Sequence, residues 1–152
     1  MTDLFFSIRK AVPSDESAIR ALFLEMLKSI GQTDAVDGYK AGYLDKYWRG
    51  GEDVVFVAET DQVIAYLSVE VCREPEKYLY LDDFSVASGQ RNKGIGSALL
   101  QTAEAYGREC GIPAVLLHVE QINGSARRLY ERLGYSVFRI DGNRLLMKKD
   151  LP

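Results

Sequence analysis

The sequence predicts an α/β chain of the α+β kind, a mixed sheet with helices on its faces, and three observations carry that prediction. Short β-branched and aromatic runs such as Val54–Glu59 and Ala114–Val119 have the length and composition of strands. Elsewhere apolar residues recur at three-and-four spacing, as in Ala18, Ile19, Leu22, Phe23, Met26, Leu27 and Ile30, which marks one buried helix face. The segments follow one another as β-α-α-β-β-β-α-β-α-β-β. One strand-helix-strand unit, from Tyr78 to Val119, places two neighbouring strands parallel beside an antiparallel meander. With 152 residues, 47% of them hydrophobic, the chain supplies one core well and a second poorly, so a single domain over 1–152 is expected.

Phe5 to Lys10 is a β-rich run, followed by Pro13-Ser14-Asp15, where Ser14 or Asp15 can cap a helix that runs to about Ser29 and closes at Gly31. A second helix is expected over Asp34 to Trp48. Val54 to Glu59 and Val63 to Arg73 read as strands around Thr60-Asp61-Gln62, and Tyr78 to Val86 as a third after Pro75. From Gly94 to Cys110 the period turns helical, with Ile95, Ala98, Leu99, Thr102, Ala103 and Tyr106 on one side, Gly111 at the exit and Pro113 beyond. Ala114 to Val119 is a continuous apolar strand. Ser125 to Leu133 is a helix with Ala126, Leu129, Tyr130 and Leu133 inward, stopped by Gly134. Two final strands, Tyr135 to Ile140 and Arg144 to Lys148, flank the turn Asp141-Gly142-Asn143.

Composition excludes several functions. A formal net charge of -3 argues against a general nucleic-acid binder, which needs an excess of Lys and Arg on one face. Nothing suggests a membrane span, and the opening MTDLFFSIRK lacks a basic start followed by a long apolar run, so a cytoplasmic location is the default. Cys72 and Cys110 have no metal-ligand spacing around them and read as buried, reduced thiols; no metal is expected.

The informative stretch is YLYLDDFSVASGQRNKGIGSALL, a strand passing through a short turn into a helix whose first turn contains Gly94 and Gly96. Helix N-termini leave backbone N–H groups without partners and carry partial positive charge, so an anion placed there gains several hydrogen bonds at once. Arg91 and Lys93 add side-chain charge beside the turn, which suits a pyrophosphate. Two glycines can equally serve steric needs at such a turn. The dinucleotide fingerprint is absent because Leu99 stands where its third glycine belongs, and no G-x-x-x-x-G-K-[ST] loop occurs.

A second stretch, VEQINGSARRLYERLGY from Val119 to Tyr135, completes a pattern that resembles the GNAT superfamily of N-acetyltransferases. The resemblance extends to the opening, where Ile8, Arg9, Ala11 and Asp15 match the family's usual first strand and helix cap, and it covers essentially the whole chain. It implies a largely antiparallel sheet of six or seven strands whose two central parallel strands splay apart, here Tyr78 to Val86 and Ala114 to Val119, to admit acetyl-coenzyme A. It also implies that the N–H groups from Arg91 through Asn92, Lys93, Gly94, Ile95, Gly96 and Ser97 cradle the pyrophosphate; Asn92 stands where many members carry glycine. Phe84, Ser85 and Val86 would lend backbone to the pantetheine arm, Asn123 would touch that arm, and Tyr130 would stand near the sulfur.

The chemistry explains these residue types. An acceptor amine with a pKa of about 10.4 is protonated at neutral pH and cannot attack a thioester until it loses a proton. The developing oxyanion needs a fixed donor, for which a backbone N–H of Phe84 to Val86 is the family-like candidate. The departing sulfur is served by a neutral phenol, hence Tyr130. For the base, Asp82 is the first choice, Asp83 is its equal as a binder of the cationic acceptor, and Glu120 is the reserve. Asp82 and Asp83 share one cleft only if a bulge re-aims one of them.

The acceptor site is least legible. Tyr39, Tyr43 and Tyr47 fall at helical spacing with Trp48 beside them, as expected of a pocket lining or of a helix packed on the core. His118, the only histidine, reads as a hydrogen-bonded structural residue whose shared face with Glu120 keeps it near the cleft. Arg127, Arg128 and Arg132 either meet the coenzyme's outer phosphate or form a solvated face. The expected partner is a small-molecule amine, with protein N-termini or lysines and a non-catalytic acyl-coenzyme A module as alternatives; a homodimer stays open.

Overall fold

Seven strands join in one sheet, and the way they pair determines where a site can open. The computed structural model describes residues 5–29, 42–91 and 93–152. Its strands are β1 (Ser7–Lys10), β2 (Val54–Glu59), β3 (Val63–Cys72), β4 (Tyr78–Val86), β5 (Ala114–Glu120), β6 (Ser136–Asp141) and β7 (Arg144–Asp150). Three α-helices lie between them: α1 (Glu16–Ser29), α2 (Ile95–Glu109) and α3 (Gly124–Arg132). The order across the sheet is β1-β2-β3-β4-β5-β7-β6, antiparallel everywhere except between β4 and β5, which α2 connects. The mixed sheet with one parallel pair is therefore as expected, and no described helix is long and apolar enough to cross a membrane.

Period-two alternation divides the apolar side chains between two cores. On β2, Val55 and Val57 face one cluster with Tyr66 of β3, Ile19 and Leu22 of α1, and Leu44 and Tyr47. Val54, Phe56 and Ala58 face the other, with Leu67, Leu79, Leu81, Val115 and Leu117 and with Leu99, Leu100 and Ala103 of α2. Each such side chain removed from water contributes about 1.5–3 kcal/mol. α1 and α2 thus cover opposite faces, and strands buried on both sides read as continuous apolar runs.

The start of the chain is tied down by charge. Arg9 on β1 donates through Nη1 and Nη2 to Asp15 at 2.8 and 2.9 Å and through Nε to Glu59 of β2 at 2.9 Å. Ser14 or Asp15 was expected to cap a helix; Asp15 ends a 3₁₀ turn at Pro13–Asp15 that runs directly into α1, and it accepts the Val12 N–H at 2.8 Å in a capping-box contact. The Arg9 hydrogen bonds hold the Asp15 carboxyl below its ordinary pKa. Its contribution to stability is therefore present above the unfolded carboxylate value and disappears as pH falls through the depressed one. Asp15→Ala is expected to destabilise the fold by about 2 kcal/mol, below the figure for a fully buried pair because Arg9 is partly in water. Urea melts at neutral and acidic pH check this: the gap between variant and wild type should shrink in acid.

Two expectations need correction. The helix expected over Asp34 to Trp48 is absent from its described part, where a turn at residues 42–44 leads into a 3₁₀ turn at Asp45–Trp48. Gly42 has φ +82°, outside the helical region, and so interrupts any helix approaching from before it. Tyr39 lies outside the described residues. Cys72 and Cys110 are free, as expected, but only partly buried.

Candidate active site

The parallel strands are joined for only three residue pairs, Leu79↔Val115, Tyr80↔Leu116 and Leu81↔Leu117. Beyond them β4 continues to Val86 along β3, while β5 continues to Glu120 along β7. Between Asp82–Val86 and His118–Glu120 the sheet therefore opens, and backbone groups that point away from β3 and β7 face the gap.

A bulge stands at the head of that opening. Leu67 pairs with Phe84 and Val69 with Leu81, so Ser68 alone opposes both Asp82 and Asp83. Ser68 Oγ accepts the Asp83 N–H at 2.8 Å and so fills the irregular ladder. Asp83 in turn accepts the Tyr43 hydroxyl at 2.7 Å. Loss of solvent raises both carboxyl pKa values, Asp83 raises that of Asp82 further, and Lys46 opposes the shift in each. Burial raises the Tyr43 and Tyr47 phenols, helped at Tyr43 by Asp83 and then Asp82 and at Tyr47 by Glu70 and then the two aspartates, while Ser68 opposes the shift at Tyr47. Leu81 and Phe84, on either side of the pair, both pack in the α2-side core, so the bulge leaves Asp82 and Asp83 on the opposite face, where Asp83 meets Tyr43. Lys46 also pairs with Glu70 of β3 at 3.1 Å, so one lysine sits among three carboxylates.

The two glycines of the turn do different things. Gly94 is left-handed, φ +82°, with open space around the position of a Cβ. At Gly96 a Cβ would come within 3.0 Å of the Phe84 ring, so that glycine serves close packing over β4. The first helical bond runs from the Ala98 N–H to the Gly94 carbonyl, and the N–H groups of Ile95, Gly96 and Ser97 come before it. Ile95 is buried and offers only its backbone. Arg91 is exposed and holds the Val86 carbonyl through Nε at 3.4 Å, and Lys93 lies over the Phe5 ring at 5.4 Å. Asn92 lies outside the described residues. Ser85 turns its hydroxyl toward α1, donating to the Leu22 carbonyl at 3.3 Å, so only its backbone is available to the opening.

α3 follows β5 on the far side of the gap. Asn123 caps it, its Oδ1 accepting the Ala126 N–H at 3.2 Å. Tyr130 is 8% exposed and packs edge-on against Tyr135, with ring centroids 6.1 Å apart. Burial pushes its phenol up to about 12, so it is a neutral donor across the physiological range. Among the described residues its hydroxyl has no hydrogen-bond partner. Glu120 is exposed at the end of β5, opposite Arg144 of β7. Arg127 pairs with Glu131 at 3.7 Å on the outer face of α3.

Residues 20–135 match the family model described as the acetyltransferase (GNAT) family. The chain belongs to that family. Among curated relatives, this GNAT chain is 32% identical over 100 residues to a probable N-acetyltransferase camello of Xenopus tropicalis, covering 64% of this chain and 46% of the relative. It is 36% identical over 63 residues to a streptothricin acetyltransferase of Streptomyces lavendulae, covering 41% and 33%. A mycothiol acetyltransferase of Thermomonospora curvata matches at 32% over 88 residues, covering 57% and 29%. The chain thus spans less than half the length of these relatives. Its fold is shared with the PaiA N-acetyltransferase of Thermoplasma acidophilum, a structure in complex with coenzyme A. The TM-score is 0.80 at 18% identity, covering 95% of this chain and 98% of that one.

The GNAT chain also holds a constellation that its sequence does not display. Tyr80 Oη lies 2.6 Å from His118 Nδ1, and His118 Nε2 lies 2.8 Å from Asp141 Oδ2. His118 is hydrogen-bonded, as expected of it, but its partners come from β4 and β6. Arg139 first and His118 second hold the Asp141 carboxyl down to about 2, so it is an ionised acceptor. The Nε2 atom therefore carries the hydrogen, and Nδ1 accepts from Tyr80. Burial first, then Asp82, raises the Tyr80 phenol, which stays protonated.

Proposed function

We propose that this chain transfers the acetyl group of acetyl-coenzyme A to a primary amine of a small cationic acceptor, by direct attack with both substrates bound. The observation that carries the reading is the gap between β4 and β5, with an open left-handed glycine turn beyond the C-terminal end of β4 and a bulged pair of carboxylates at the head of the gap in mid-strand. The N–H groups of residues 93–97, with Arg91 and Lys93, suit the pyrophosphate. The backbone of Phe84 to Val86 and the amide of Asn123 suit the pantetheine arm, and a backbone N–H of Phe84 to Val86 suits the oxyanion. Arg127, Arg128 and Arg132 are charged neighbours for the outer phosphate.

At the acceptor end, Glu70, Asp82 and Asp83 create a negative field that Lys46 and Arg144 offset in part, with Tyr43 beside them. Such a field draws a cation and suits a small amine, in keeping with relatives named for streptothricin and mycothiol. Asp82 takes a proton from the bound ammonium, Asp83 helps to hold it, and Glu120 stands in reserve across the gap. Tyr130 gives a proton to the leaving sulfur.

Asp82 carries a stability signature that tests its role. Its raised folded pKa means that ionising it costs stability; the cost begins as pH rises through the unfolded value and is complete above the folded one. Asp82→Asn is expected to raise the melting temperature slightly at neutral pH while lowering kcat/KM about 100-fold and altering its pH profile. A profile identical to wild type removes the base role. The decisive assay measures thiol release from acetyl-coenzyme A over polyamines, amino acids, aminoglycosides and peptides. Turnover of small amines supports the reading. Turnover of peptides alone would make this a protein acetyltransferase, and binding without turnover would make it a non-catalytic module.

A further inference from the structure

We propose that Tyr80, His118 and Asp141 form a relay that removes the second proton from the acceptor nitrogen as the amide forms; this rests on the acetyl-transfer reading. A primary ammonium arrives with three N–H bonds and leaves as an amide with one. Asp82 can receive one of the two protons shed, and the other needs a destination while the C–N bond is forming. The relay stands where that proton appears. Tyr80 belongs to the middle of the three β4–β5 pairs, and His118 is the first residue of β5 past the last of them.

Two sheet irregularities shape the relay, one bringing Asp141 to it and the other setting charge beside it. On β6, Val137 pairs with Met147 but Arg139 pairs with Leu146, so the ladder gains a residue at Phe138. Leu146 is also the β7 partner of His118. Without that extra residue, period-two alternation would send Arg139 and Asp141 to the Met147 side, toward the α2 core. With it, Asp141 reaches His118 while Arg139 grips the same carboxylate at 2.8 Å. The second irregularity is the bulge at Asp82 and Asp83, which places the acceptor's counter-charge beside Tyr80.

A hydroxyl that donates to Nδ1 keeps a lone pair for an incoming N–H even with Arg144 drawn to the same oxygen. In the step, the nitrogen lone pair forms the C–N bond and the C–S pair leaves on sulfur, which takes a proton from Tyr130; solvent afterwards restores the Tyr130 proton and takes up the one held by Asp82. The nitrogen passes a proton to Tyr80 Oη and keeps the bonding pair, while the Tyr80 proton moves to His118 Nδ1. Asp141, already bonded to Nε2–H, balances the imidazolium. His118, whose side chain is 16% exposed, then returns the proton to solvent. The charged and titratable groups facing His118 are Tyr80 and Asp82 from β4, Glu120 from its own strand, Arg144 from β7, and Asp141 with Arg139 from β6. Tyr80 alone touches substrate; His118 and Asp141 act through it.

The single histidine makes the test clean, since one imidazole signal reports on the intact chain. Nitrogen NMR of the wild type should show the Nε2-protonated tautomer, and its titration midpoint should coincide with the acid limb of kcat/KM for an amine that the chain turns over. His118→Gln and Tyr80→Phe should each lower kcat/KM about 10-fold, the modest loss expected when water substitutes as base, and remove that limb while coenzyme affinity is unchanged. Asp141→Asn should move the NMR midpoint and the limb to lower pH together. The relay is overturned by a limb that persists in His118→Gln, by an Nδ1-protonated tautomer, or by a limb that stays fixed in Asp141→Asn while the NMR midpoint moves. Should His118→Gln fail to fold, Tyr80→Phe decides by the same criteria. If the wild type turns over no amine, the relay falls together with the acetyl-transfer reading; turnover with an unaffected limb overturns the relay alone.

Discussion

Gly94→Val is expected to weaken coenzyme A binding by about 100-fold while the chain remains folded, an effect of about 2.7 kcal/mol. Gly94 holds φ +82°, and nothing lies within 4 Å of where its Cβ would be. The substitution therefore brings its Cβ against none of the described residues. Its cost is conformational, since a β-branched residue disfavours the left-handed region and the turn relaxes out of it. Relaxation tilts the N–H groups of residues 93–97 away from a common point, and the new side chain occupies the space an anion would use. Gly96→Ala provides the contrast. Its Cβ would press on the Phe84 ring at 3.0 Å, so that change should be felt mainly as lost stability. Melting curves with and without coenzyme A separate the two outcomes.

Tyr130→Phe is expected to slow turnover by about 100-fold, toward the lower end of what general acid catalysis supplies, because a thiolate leaves fairly readily unaided. The ring stays packed against Tyr135, so the fold and the coenzyme affinity should be nearly unchanged. Burial keeps the phenol protonated to about pH 12, so wild-type rates should not fall through loss of this proton anywhere near neutrality. Single-turnover kinetics with saturating coenzyme check the chemical step, and a rate equal to wild type removes the acid role. The phenylalanine variant is informative because it deletes one oxygen and leaves the edge-on contact of the two rings intact.

Much of the architecture was legible in the residue pattern because alternation and three-four spacing report burial, and burial is what the sheet and helices share. β2 reads as a continuous apolar run because both its faces are covered, one on the α1 side and one on the α2 side. α2 was announced by Gly94 at its start and Gly111 at its exit. The helix expected up to Trp48 failed because Tyr43 and Tyr47 mimic a helical stripe, whereas Gly42 adopts φ +82° and residues 45–48 form only a 3₁₀ turn. The site was legible where it depends on local sequence, as in the turn around Gly94. It was hidden where it depends on register. Nothing in the spacing of Asp82 and Asp83 reveals that Ser68 alone faces both, and nothing near His118 announces Tyr80, 38 residues before it, or Asp141, 23 residues after. The meetings at Ser68 and at Asp141 each need an irregular ladder, which shows itself only when both strands are in view, and Tyr80 meets His118 only because β4 and β5 pair in parallel.

Calorimetric titration of the intact chain with coenzyme A puts the matter most directly. One site per chain is expected, its heat largely lost in Gly94→Val and retained in Tyr130→Phe and Asp82→Asn. A wild-type chain that gives no heat, and whose melting temperature does not move with coenzyme A, would contradict the phosphate-binding turn and the acetyl transfer built upon it.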